Sequence, residues 1–139
     1  MTYPVLPDMD ALVIGALQAG MKGVSVRVLW PEHWTEALPL VVARRVGGTA
    51  ADARGIDSAL VDVQCAASTR REASRLARVA RAVLANACAD QYAGADGYLS
   101  HFEDVSGPAE LRTGAPSTGP DFFRFQATHR VTARPLNHL

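Results

Sequence analysis

Apolar and polar side chains alternate between Ala59 and Ala67, where Val61, Val63, Cys65 and Ala67 share one face and Asp62 and Gln64 the other. A two-residue period is that of a half-buried strand. The pattern changes at Thr69-Arg70-Arg71-Glu72, a capping-box sequence. There the Thr69 hydroxyl accepts from the Glu72 amide and the Glu72 carboxylate reaches back to the Thr69 amide. The box predicts a helix starting at residue 70 and dissolving near Asp90. Along it Ala73, Leu76, Ala77, Ala80, Val83, Leu84, Ala87 and Cys88 recur every three or four residues, with Arg71, Arg75 and Arg78 on the opposite side.

The remaining elements follow from the same two periods. Asp8 caps a first helix carrying Met9, Leu12, Val13, Ala16 and Leu17 inward, and Gly20 or Gly23 stops it. Val24 to Leu29 alternates as a strand with Val24, Val26 and Val28 inward and Ser25 and Arg27 outward. Trp30 to Ala37 is expected to be a loop, because Pro31 cannot donate to a ladder and holds Trp30 extended. Leu38 to Val46 reads as a second strand that ends with Arg44 and Arg45 turned outward, broken by Gly47-Gly48. A loop of small residues from Gly47 to Asp57 then leads into the central strand.

Beyond the second helix, Tyr98 to Val105 is expected to be a strand. Ser106 to Asp121 holds three prolines and three glycines and reads as a surface loop. Phe122 to Arg134 alternates cleanly, with Phe123, Phe125, Ala127, His129, Val131 and Ala133 inward, until Pro135 closes it. The order is α-β-β-β-α-β-β. Short links favour antiparallel pairing, so the predicted fold class is α+β: one mostly antiparallel sheet of about five strands with both helices on one face. A chain of 139 residues fits a single domain over 1–139.

Composition narrows the functional classes. Fourteen Lys and Arg balance fourteen Asp and Glu. Zero net charge argues against general nucleic-acid binding, because affinity for phosphate grows with cationic excess. Cys65 and Cys88 fall on inward positions and are expected to be buried free thiols and not a disulfide. No basic segment followed by a long apolar run opens the chain, and Leu38 to Ala43 is too short to span a bilayer, so a soluble protein made inside the cell is expected, with no membrane partner.

Local chemistry is sparse. Gly47-Gly48 lacks the Lys-Ser/Thr of a phosphate loop. His33, His101, His129 and His138 lack metal-ligand spacing. His129 lies on an inward register and reads as a hydrogen-bonded core histidine before a general base. Glu103 and Asp104 are adjacent on a strand and point to opposite faces, so they cannot flank one bond. Ser74, Ser100 and Ser106 have no nucleophile-elbow context. No catalytic residue, metal or cofactor is therefore expected. The arginine stripe reads first as a solvated helix face and second as a docking surface, while Trp30 and Trp34 suit either core or interface.

Several segments taken together resemble the tail terminator, or tail completion, proteins of long-tailed bacteriophages and prophages. They are the first helix ending before a Val-rich strand, Leu38-Pro39-Leu40-Val41-Val42-Ala43-Arg44-Arg45-Val46-Gly47-Gly48, and Val61-Asp62-Val63. The helix opened by Thr69-Arg70-Arg71-Glu72-Ala73, then Ser106-Gly107-Pro108 and the strand from Phe123 to Arg134, complete the set. The resemblance implies a non-enzymatic structural subunit, commonly about six to a closed homo-oligomeric ring. It would sit in the virion, at the head-proximal end of the tail, after synthesis in the host bacterial cytoplasm. Its partners would be other copies of itself, the tail tube protein and head-tail connector proteins, with DNA passing through the lumen without specific binding. Within such a ring the expected contacts are Trp30, Pro31, Trp34, Arg44, Arg45, Val46, Gly47, Gly48, Arg71 and Arg75. The alternatives are another head-tail connector or neck protein and a small RNA-binding α+β domain. Helix-strand-strand-strand-helix is also the order of a double-stranded-RNA module, although that module needs a lysine-rich start to its second helix.

Overall fold

A computed structural model describes residues 4–50, 54–111 and 122–136, with Thr49 and Ala50 described as backbone alone. Helix α1 spans Met9–Gly20, and the Asp8 carboxylate accepts from the Ala11 amide at 3.1 Å, as a capping residue should. Helix α2 spans Arg70–Ala89, and the Thr69 hydroxyl accepts from the Glu72 amide at 3.2 Å. Only this half of the predicted capping box forms; among the described residues the Glu72 carboxylate makes no return bond.

Five strands build the sheet: β1 Ser25–Arg27, β2 Leu40–Ala50, β3 Asp57–Ala67, β4 Gly97–Leu111 and β5 Phe123–Pro135. Their spatial order is β1-β2-β3-β5-β4. The α+β class and the element order match the sequence expectation. Pairing is antiparallel except at β1, which runs parallel to β2 with Val26 opposite Val41. The reason lies in residues 28–39, which return to the start of the sheet before β2 begins. A parallel pair requires a connection of that length, and a hairpin does not.

Four further expectations are corrected. The first strand is three residues long and not six, because the chain leaves the sheet after Arg27. The Trp30 to Ala37 loop contains a 3-10 turn over Trp34–Ala37. Gly47-Gly48 does not end β2: the strand passes a bulge between Arg45 and Gly47 and continues to Ala50, shortening the expected loop. Strand β4 runs through Gly107 and Pro108 to Leu111, where a surface loop was expected. Proline fits there because β4 is an edge strand and its pairing is already irregular between Ser106 and Ala109. The rest of that predicted loop, residues 112–121, lies outside the described residues.

Both helices cover one face. Helix α1 packs on β1 and β2, α2 packs on β3, β5 and β4, and the helices touch each other. Their buried residues, with Leu12, Leu17, Ala80 and Leu84 among them, close over Val41, Val61, Val63, Cys65, Phe125, Val131 and Leu99 in one core. Cys65 and Cys88 are buried free thiols, and burial pushes them up to about 12 and about 11. Neither can supply a thiolate near neutral pH.

Candidate assembly surface

Among the described residues no helix covers the second face of the sheet. Alternation sends Leu60, Asp62, Gln64 and Ala66 of β3 and Arg124, Gln126, Thr128, Arg130 and Thr132 of β5 toward it. Asp62 sits at its centre, 9% exposed. Its two oxygens accept from Gln126 Nε2 at 2.5 Å and Gln64 Nε2 at 3.1 Å. Gln64 and Gln126 are direct cross-strand partners, so strand register alone brings both amides to one carboxylate.

At one end of this face Leu40, Val42 and Ala66 are buried, yet they stand apart from the main core. The crossover of residues 28–39 lies there. Trp30 meets Trp34 edge-on at 4.8 Å between ring centres, and Trp34 meets Phe122 at 4.4 Å. The Arg124 guanidinium stands 5.8 Å from the Trp30 ring centre. Both tryptophans and Pro31 remain half-buried, and Leu29 beside them is 65% exposed. The crossover thus pairs an apolar cluster with exposed Glu32 and Glu36.

The end of β2 presents a different arrangement. Arg44 and Arg45 were expected to turn outward together, but neighbours on a strand diverge. Arg44 is exposed, whereas Arg45 donates to Asp57 through Nε at 3.0 Å and Nη2 at 2.9 Å. Asp57 is 2% exposed. That hydrogen bonding raises the Arg45 guanidinium further above its ordinary value against the opposing effect of burial. The Arg45 amide donates to the Asp10 carboxylate of α1 at 2.7 Å. Val46, on the bulge, is 51% exposed, and Gly47 and Gly48 follow it.

Helix α2 divides its arginines between two tasks. Arg70 pairs with Glu110 and lies 5.4 Å from the centre of the Phe125 ring, while Arg81 grips Asp104 with a fork whose shortest contact is 2.6 Å. Both acids belong to β4, so these arginines fasten the helix to the sheet. Arg71, Arg75 and Arg78 face outward beside a shallow groove of about 520 Å³ lined also by Thr69 and Glu72. None of the three forms an ion pair among the described residues. The ten residues expected at interfaces therefore fall into three separate places: the crossover, the β2–β3 hairpin and the outer side of α2.

Asp104 also joins the helix to His129, the histidine expected inward and hydrogen-bonded, and is the partner that the sequence did not identify. His129 is fully buried and its Nδ1 lies 3.1 Å from Asp104 Oδ1, with the Phe102 ring beside it at 5.0 Å. An ionised carboxylate only accepts, so Nδ1 carries the proton and Nε2, which has no partner among the described residues, is a bare acceptor. Protonation would create an unpaired buried donor. Burial accordingly holds the His129 pKa below its ordinary value against the pull of Asp104. Asp104 itself is held low, chiefly by its hydrogen bond with Arg81.

The pH dependence follows in sign. Below the unfolded histidine pKa of about 6.5 the unfolded chain takes up a proton that the folded chain resists, so stability is complete above that pH and declines as pH falls. Asp104 adds a second loss further down, as pH drops through its lowered value. Melting temperatures recorded between pH 8 and pH 5 should therefore fall in the native protein and change less in His129→Gln. Parallel profiles would remove His129 as the cause.

Among the described residues no three His, Cys, Asp or Glu side chains gather as a metal site, and no helix is long and apolar enough to cross a membrane. A search of curated proteins finds no match. The model of a family described as phage tail termination protein matches residues 5–139, nearly the whole chain, and agrees with the resemblance drawn from the sequence segments. On that match the chain belongs to the phage tail termination protein family.

Proposed function

We propose that the chain closes the head-proximal end of the tail tube as a homo-oligomeric ring of about six copies and joins the tube to the head-side connector. The family match over residues 5–139 carries this reading. The ring is a structural, non-enzymatic part of the virion, assembled from subunits made in the host cytoplasm. Surface chemistry supports it: Leu29 and Val46 leave apolar side chains in water on two separate projections, and half-buried Trp30 and Trp34 adjoin one of them. Aromatic and apolar residues with a polar rim are the composition of protein interfaces. Equal numbers of cationic and anionic side chains suit a lumen that lets DNA slide without gripping it.

The test is the absolute mass of purified protein by light scattering across concentration, with negative-stain imaging, alone and with tail tube protein added. Rings of about six subunits, alone or on tube ends, are expected. Arg44→Glu should weaken their formation without lowering the melting temperature, because Arg44 is exposed and makes no ion pair among the described residues. A strict monomer under both conditions would overturn the ring.

A further inference from the structure

We infer that the Arg71-Arg75-Arg78 stripe of α2 seats the Glu32 and Glu36 side of the aromatic crossover of a neighbouring copy. The inference deepens the ring reading and rests on it. The first and last arginines of the helix, Arg70 and Arg81, are neutralised by β4 carboxylates, while the three between them are not. Arg71 and Arg75 are four residues apart and Arg75 and Arg78 three, so like charges are neighbours along the helix. Such pairs cost stability, and among the described residues Glu72 is the only acid lining the groove beside them. A carboxylate from outside the chain would turn that repulsion into attraction.

Charge balance indicates where such a carboxylate lies. The chain as a whole is neutral, so the excess on α2 is matched elsewhere on the same molecule. Glu32 and Glu36 are exposed and have no ion pair among the described residues. They also border an apolar centre formed by exposed Leu29 and half-buried Trp30 and Trp34, which other exposed acids such as Asp90 do not adjoin in sequence. The acidic side of that crossover complements in charge a groove lined by Arg71, Arg75 and Arg78.

Topology then decides that the contact is between copies. The crossover touches Phe122 and Arg124 on the helix-free face, and α2 covers the opposite face. The two surfaces cannot meet within one chain. Joining one copy's crossover to the next copy's helix is a head-to-tail contact, the kind that closes into a ring when the rotation permits. Duplex DNA is the other chemistry three arginines can face. Charge neutrality of the whole chain and Glu72 in the groove favour the protein partner.

Complementary charge reversal tests the pairing. One variant carries Arg71→Glu, Arg75→Glu and Arg78→Glu; a second carries Glu32→Arg and Glu36→Arg. All five positions are exposed, so both variants should melt near the native temperature. Sedimentation velocity, with and without tail tube protein, should show each variant alone weakened in ring formation by at least about a hundredfold. An equimolar mixture should recover rings, because alternating copies make every contact complementary, and a single chain carrying all five changes should recover them too. Rings from the triple variant alone would overturn the inference and leave the ring reading standing. Loss without recovery in either rescue would overturn the pairing. Rings retained with loss of binding to a fluorescent DNA duplex would assign the arginines to DNA instead. If the native protein forms no ring alone or with tube protein, the ring reading fails, and the inference with it.

Discussion

Gly48→Ala should lower the stability of the fold by about 3 kcal/mol, read as a fall in melting temperature on the order of 10 °C. Gly48 has φ 114°, a region that side chains with a Cβ rarely adopt. Space is lacking as well. A Cβ at residue 48 would stand 2.4 Å from the Ser58 carbonyl oxygen and 2.6 Å from the Ala59 Cα, both backbone atoms of β3. Backbone in the middle of a ladder cannot swing aside as a side chain can. The whole end of the β2–β3 hairpin, from Gly47 opposite Leu60 to Ala50 opposite Asp57, depends on that approach. Gly23→Ala is a fair comparison: it shares a positive φ of 82° but meets nothing within 4 Å, so its smaller loss would isolate the cost of conformation from that of collision. Equal losses at the two positions would show that the clash relaxes.

Arg45→Leu is the second large effect, about 3 kcal/mol, and it arises from what is left behind. Removing the guanidinium strands the Asp57 carboxylate, 2% exposed, without the two hydrogen bonds that hold it. The magnitude stays at the lower end for a buried pair because the Arg45 side chain is itself 34% exposed. Arg45→Leu combined with Asp57→Leu should recover most of the loss, since burying two apolar side chains removes the uncompensated charge. Urea titrations of the two variants measure the difference; a double variant no better than the single would mean that the ion pair itself, and not the orphaned carboxylate, sets the cost. The result bears on assembly too. Changing Arg44 and Arg45 together would confuse a folding defect with an interface defect, so Arg44 alone is the clean probe of the hairpin surface.

What could be read from the chain was whatever one element decides by itself. The alternation in β3 and β5, the capping residues Asp8 and Thr69, and the helical recurrence of Leu76, Ala77, Ala80 and Leu84 all lie within a few residues of each other. Features set by a neighbouring strand were hidden. Gly47-Gly48 resembles a strand end until β3 is seen to accept the bulge, and Pro108 resembles a loop until β4 is known to be an edge. The parallel placement of β1 turned on where residues 28–39 run, which no period encodes. Among candidate contact residues, the tryptophans were singled out by type alone and Arg71 and Arg75 by helical spacing, and their role as contacts is still a proposal. The partners Arg45–Asp57, Arg81–Asp104–His129 and Gln126–Asp62 are separated by 12 to 64 residues and needed the register of the sheet. One signal was available for the last: Asp62 and Gln126 both occupy polar positions of strands with strong alternation, and two such strands pair readily.

The Arg45 amide held by Asp10 has a consequence for how copies can multiply. Strand β1 covers β2 only from Leu40 to Val42, which leaves the following main-chain donors available to any passing strand. The carboxylate of α1 occupies one of them, and the bulge immediately after it spoils the spacing that a docking strand would need. At the far side of the sheet, Pro108 and three breaks in register do the same for β4. On both sides of the sheet these features work against open-ended ribbon growth. Contacts between copies of the kind proposed above would then rest on side-chain surfaces and not on the backbone of the sheet edges.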